Sequence, residues 1–133
     1  MTHRIGVHVY YEDTDLAGIV YYANYLKYIE RGRTELLRSL GVDQVRIKDR
    51  CGVVFAVRRV EADYIAPARF DDDLCVETRV VTVGGARVVL AQDVLRDGDV
   101  LFRSEVTIVA LGKDGRPARL PGEVRDALGA SDN

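Results

Sequence analysis

The densest group of reactive side chains in the 133-residue sequence is YYEDTDLAGIVYYANYLKYIERGR, residues 10–33, where Glu12, Asp13 and Asp15 stand ahead of Gly18 and a tyrosine-rich run. A carboxylate can attack an acyl carbonyl carbon directly or take a proton from a water that does so. Either route develops negative charge on the carbonyl oxygen, and unpaired N–H groups at the start of a helix are suited to receive it. Acids and donors would lie close together, because the acidic turn runs into what reads as the longest helix. The plainer alternative is a turn in which Asp13 and Asp15 bond nearby backbone N–H groups, and spacing alone leaves both open.

Other chemistries have little to work with. His3 and His8 are the only histidines and both fall in the opening strand, too few nitrogen ligands for a histidine-rich metal centre, so no metal is expected. Cys51 and Cys75 form no CxxC pair and read as two reduced, buried thiols. Nineteen basic and 21 acidic residues give a net charge of −2 with the signs interleaved, which leaves no footprint for nucleic acid. No apolar leader opens the sequence and no stretch of 18 apolar residues occurs, so the expectation is a cytoplasmic protein without membrane insertion. With 47% hydrophobic and 30% charged residues, the chain reads as a single globular domain over residues 1–133, partly irregular after about 112.

The elements that must hold the acids follow from periodicity. Residues 5–11 alternate apolar and polar and predict a strand. Residues 24–40 place Tyr25, Leu26, Ile29, Gly32, Leu36 and Leu40 at helical spacing, with Asn24 as the expected cap and Gly41 as the stop. Gly32 inside that helix costs about 1 kcal/mol against Ala, which implies close approach of the backbone to a packed sheet. Residues 53–65, 74–83, 87–95 and 100–111 are Val-rich strand candidates, divided by Pro67 and the Asp71–Asp73 acids, by Gly84-Gly85 and by Asp97-Gly98. The glycine- and proline-rich tail predicts little beyond a short helix at 123–128. The layout is α+β: one long central helix wrapped by a five-stranded antiparallel meander.

The run VYYEDTDLAGIVYYANYLKYIERGRTELLR, residues 9–38, with DYIAPARFDDD at 63–73, strongly resembles the hot-dog-fold 4-hydroxybenzoyl-CoA thioesterase family, and within it the Tol-Pal-associated acyl-CoA thioesterase branch. The resemblance covers the chain from residue 4 to about 111. It implies the hot-dog fold, hydrolysis of an acyl-CoA or acyl-carrier-protein thioester, and no cofactor beyond the coenzyme A of the substrate. A homodimer or homotetramer with sites between chains is implied too. By the same resemblance Asp15 falls on the catalytic aspartate, as nucleophile or general base, and the Tyr22 backbone N–H on the oxyanion donor. Related sequences often carry His where this chain has Tyr22, so no acid-base role passes to the phenol.

For substrate binding, Gly18 permits a sharp turn between acid and helix. Val54, Phe55 and Val57 form an apolar run suited to an acyl pocket or to the core. Arg59 and Arg87, with Arg58, Arg69 and Arg119, offer guanidinium groups for phosphate, although spacing singles out none of them. Glu30 reads as a helix residue in a structural hydrogen bond or an ion pair with Arg33 or Lys27. The competing reading is a non-hydrolytic acyl-thioester or carrier-protein binding scaffold linked to lipid synthesis or the cell envelope.

Overall fold

The computed structural model describes residues 1–132. The chain runs β1 (Thr2–His8), a single 3-10 turn (Tyr11–Asp13), α1 (Asn24–Ser39), α2 (Gln44–Cys51), β2 (Val54–Tyr64), β3 (Asp73–Val83), β4 (Arg87–Arg96), β5 (Asp99–Leu111) and α3 (Gly122–Asp132). The five strands form one antiparallel sheet in the order β1-β3-β4-β5-β2, and the architecture is α+β. Only β3, β4 and β5 are a meander. The expected pairing of β2 with its neighbours in sequence does not occur, because α1 and α2 separate it from β1 and the eight residues from Ile65 to Asp72 carry the chain across before β3 begins. β1 and β2 are therefore the two edges.

Helix α1 follows the predicted pattern except at Leu26, which is exposed, its expected place in the core being taken by Tyr28. Asn24, Tyr25, Tyr28, Ile29, Gly32 and Leu36 are buried, at steps of one, three or four residues along a single face. Its end is a Schellman motif: Gly41 adopts φ 78°, its N–H donates to the Arg38 carbonyl at 3.0 Å, and the Val42 N–H donates to Leu37 at 2.9 Å. Under the first half of α1 sits a cluster including Val9, Tyr25, Ile29, Val76, Val94 and Phe102. Under the second half Leu36, Val80, Leu90 and Ala110 pack with Ile47 of α2 and Val124 and Leu128 of α3.

Between the two clusters the helix touches the sheet. A Cβ on Gly32 would lie 2.8 Å from Val76 Cγ1, 3.0 Å from Thr78 Oγ1 and 3.2 Å from Gln92 Nε2. The space gained lets fully buried Gln92 bond the helix. Its Nε2 donates to the Ile29 carbonyl at 2.7 Å and to Thr78 Oγ1 at 2.9 Å, and its Oε1 accepts from Arg33 at 3.3 Å.

Three sequence expectations change. Helix α2, unforeseen, starts at an Asp43 cap whose carboxylate accepts from Val45 and Arg46 N–H and stops at left-handed Gly52. The segment after residue 112 is not mainly irregular: the N–H groups of Ala118 and Leu120 donate to Ala110 and Gly85, and Val124 and Leu128 are buried. Cys51 is exposed at the polar end of α2, and Cys75 is half-buried.

Candidate active site

A closed loop between β1 and α1 carries the acids, and Asp13 is its organiser. The Asp13 carboxylate accepts from the Tyr10 N–H at 2.8 Å, and its carbonyl accepts from the Tyr21 N–H at 2.9 Å and from Asn24 Nδ2 at 2.9 Å. Asn24 thus ties the helix start to the loop and does not cap it; the cap is Ala23, without a side-chain bond. The loop also lies on the β2–β3 connection, where the Val20 N–H donates to Ala68 C=O at 2.8 Å and the Ala68 N–H donates to the Tyr25 phenol at 3.0 Å.

At the loop's tip stands Asp15. One of its oxygens accepts from the Ala17 N–H at 2.9 Å, an Asx turn, and its carbonyl accepts from the Gly18 N–H at 2.9 Å. Gly18 takes φ 79°, which a larger residue would resist. Asp15 is exposed, and neighbouring Leu16 is fully so. Its second oxygen has no partner among the described residues, which leaves it open to a water or an acyl carbon.

Tyr22 lies ahead of the first helical residue. The Asn24 N–H donates to the Tyr21 carbonyl at 2.8 Å, so Tyr22 is the second residue of a tight turn, the position whose N–H points away from the closing bond. That N–H has no acceptor among the described residues, whereas the Tyr22 carbonyl accepts from the Tyr64 hydroxyl at 2.9 Å. Tyr22 is 62% exposed, and its ring meets Tyr64 edge-on at 6.2 Å. Sequence spacing could not have revealed the Tyr64 and Ala68 contacts, which join segments about 40 residues apart.

The binding candidates divide. Phe55 and Val57 line a cavity of about 180 Å³ between α1, β2, β4 and α3, with Glu30, Arg33 and Thr34 at its polar side. Val54 instead faces a depression beside Lys48, Gly52 and Lys113. Arg33 is partly buried at the polar side of the first cavity, and desolvation draws its pKa below the ordinary value while Glu30 pulls it back up. Of the two roles expected for Glu30 the structure shows the hydrogen bond, its carboxylate accepting from Thr34 Oγ1 at 2.8 Å, and not an ion pair with Arg33 or Lys27. Arg59 pairs with Glu61. Arg87 lines a shallow depression with Arg58 and the Gly84-Gly85 turn. The acid loop joins β3 at its Asp73 end and Arg87 follows its Val83 end, about 33 Å away at the usual rise per residue. Within one chain, Asp15 and Arg87 are not brought together. Among the described residues no group of His, Cys, Asp and Glu is placed to hold a metal, and no helix is long and apolar enough to cross a membrane.

Known proteins are similar to this chain in sequence and fold. The pattern of the Thioesterase superfamily matches residues 17–102, beginning two residues after Asp15. The acyl-CoA thioesterase YbgC of Haemophilus influenzae is 42% identical over 124 residues, 92% of this chain and 90% of that protein. The acyl-CoA thioester hydrolase YbgC of Escherichia coli is 37% identical over 123 residues, 91% of each. The crystal structure of a probable thioesterase from Bartonella henselae superposes with a TM-score of 0.87 at 35% identity, covering 91% of this chain and all of that one. With the family pattern, these relatives and the fold in agreement, the chain belongs to the Thioesterase superfamily and is a thioester hydrolase of the hot-dog fold.

Proposed function

We propose that the protein hydrolyses acyl-CoA thioesters to a carboxylic acid and coenzyme A, with Asp15 as nucleophile or general base and the Tyr22 N–H as oxyanion donor. The observation that carries this reading is the pairing of a half-free carboxylate with an unused backbone N–H on one closed loop at the start of α1. As the thioester carbon becomes tetrahedral, its oxygen gains charge that a fixed N–H stabilises, and the sulfur leaves as the thiol. Gly18, with its left-handed backbone, makes the sharp turn between the acid and the helix. The relatives' activity on acyl-CoA supports the substrate class, and an acyl carrier protein is the competing thiol carrier. No cofactor takes part in this scheme.

The site is completed by a second copy. Strand β2 is an edge with nearly all of its residues exposed, among them Val57 and Val60, an arrangement that invites strand pairing. Antiparallel pairing of β2 with itself about a two-fold axis would set the partner's Phe55, Val57 and Arg58 beside the Tyr64 end, where Tyr22 sits, because Val54 and Tyr64 are at opposite ends of the strand. Arg87, near the Val54 end, would follow to meet the phosphates of coenzyme A. The unit is therefore one domain per chain acting as a dimer, or as a pair of dimers, in the cytoplasm. The Tol-Pal association of the branch is the cellular setting that fits.

Thiol release from a panel of acyl-CoA and acyl-carrier-protein thioesters tests the reading. Asp15→Ala should lower turnover by about 10²-fold or more with the melting temperature unchanged. Asp13→Ala should instead cost about 1 kcal/mol of stability through the lost loop bond. Equal activity losses at both positions, without loss of stability, would overturn the assignment. A fully active monomer in sedimentation at micromolar concentration would overturn the two-chain site.

A further inference from the structure

We infer that the C-terminal helix α3 forms the floor of the acyl-chain pocket, so that Val124 and Leu128 limit the acyl group to an apolar tail of about six carbons. The inference rests on the thioesterase reading above. It starts from the asymmetry of the 180 Å³ cavity. On one side are Glu30, Gln44 and Val57, all exposed. On the other are Leu90, Leu120, Val124 and Leu128, all buried and without a polar atom in their side chains. Mouth and floor are thereby distinguished: the mouth opens between α1 and edge strand β2, and the floor is made by α3 with β4. The mouth borders the Phe55–Val57 segment that dimer pairing would carry to the partner's Tyr22 turn.

Size and polarity define the guest. A cavity of about 150 Å³ lined by Leu, Ile and Phe stays dry and holds one benzene, so 180 Å³ admits a tail of about six carbons and little more. At the mouth, Arg33 and Glu30 contribute one charge of each sign, which favours neither an anionic nor a cationic tail. The floor offers no donor or acceptor for a hydroxyl, so an alkyl end fits better than a hydroxyaryl one. Helix α3 is firmly seated: the Leu120 N–H donates to Gly85 C=O at 2.8 Å, and Arg50 of α2 pairs with Glu123. A longer tail would therefore have to displace Val124 or Leu128.

The test is a chain-length series, with kcat/KM for acetyl- to dodecanoyl-CoA and binding of the matching S-alkyl-CoA thioethers, which cannot be hydrolysed. The wild-type protein should peak near hexanoyl. Leu128→Ala should raise the octanoyl-to-hexanoyl ratio about 10-fold or more, since the three carbons removed make room for two further methylenes and each fitted methylene is worth about 10-fold or more. Val124→Phe should move the peak to butyryl or shorter. Circular dichroism and melting temperature establish that each variant is folded, and the two substitutions act in opposite directions, so loosening of α3 cannot mimic both. Peaks that stay in place for both folded variants, in kcat/KM and in thioether binding, would overturn the inference. A wild-type protein that hydrolyses nothing but binds thioethers with the hexyl optimum, shifted as described in the variants, would sink the hydrolytic reading and leave the floor standing.

Discussion

Replacing Gly32 by Ala sets two known effects against each other. In an exposed helix the change would stabilise by about 1 kcal/mol, because glycine is the more flexible residue in the unfolded chain. Here the new methyl would enter the contact with the sheet 2.8 Å from Val76 Cγ1, a fully buried atom on β3, and 3.2 Å from Gln92 Nε2. Overpacking a core costs about 1–3 kcal/mol. Pushing Gln92 away would also strain its bonds to Ile29 and Thr78, and an orphaned buried amide costs about 1–3 kcal/mol more. Taking the middle of the first cost and the lower end of the second, less the propensity gain, Gly32→Ala should destabilise by about 2 kcal/mol. At about 4 °C per kcal/mol for a chain of this size, the melting temperature should fall by about 8 °C. Urea unfolding followed by circular dichroism reads the free energy directly. Val76→Ala removes the clashing methyl, so the Gly32→Ala/Val76→Ala double variant should be less destabilised than the sum of the singles by about 1 kcal/mol. A Gly32→Ala protein at least as stable as the wild type, or strictly additive singles, would refute the claim that helix and sheet meet at this atom.

Tyr22→Phe should retain most activity, while Tyr22→Pro, which suits the second position of a tight turn but lacks the N–H, should lose about 10²- to 10³-fold in kcat; steady-state kinetics of the folded variants decide between backbone and phenol. His8 lies 2.7 Å from Asp73 and 3.0 Å from Asp71, and these bonds, Asp73 foremost, raise its pKa above the ordinary imidazole value. A raised folded-state pKa gives stability that is complete below about pH 6.5 and is lost as pH rises through the folded value. His8→Gln should therefore be most destabilising in urea unfolding at pH 6 and least at pH 9; a gap that widens with pH would contradict this.

Legibility in the sequence followed the reach of the interactions. Helix α1, with its buried face and its Gly41 stop, was written in local spacing, and so was the role of Gly32, since a glycine costs too much mid-helix without a contact to justify it. The turn that exposes Asp15 was readable as residue types, while its role as a site is what the family resemblance implies. The order of the sheet was not readable, because each edge strand finds its partner far along the chain: Thr2 with Arg79, Val54 with Leu111. Helix α2 did carry a signal, Asp43 before and Gly52 after, that its short and mostly polar run obscured. Asn24 shows the limit of local rules. It is a good cap by type, yet its amide is taken by the Asp13 carbonyl, a bond that only the closed loop makes available. The tail's burial depends on a groove between α1 and the sheet that no sequence window contains.

The two edge pairings also bear on how the protein is made. Synthesis supplies β1, α1, α2 and β2 first, and none of these can join the sheet until β3 and β5 have left the ribosome, since β1 bonds only to β3 and β2 only to β5. Long-range pairings of this kind carry a large loop-closure entropy and fold slowly. The β3-β4-β5 hairpins, joined by turns of a few residues, form the natural nucleus. Once β3 has emerged β1 has its partner, but β2 still waits, and a chain halted before Asp99 would present that edge strand to chaperones and to other nascent chains.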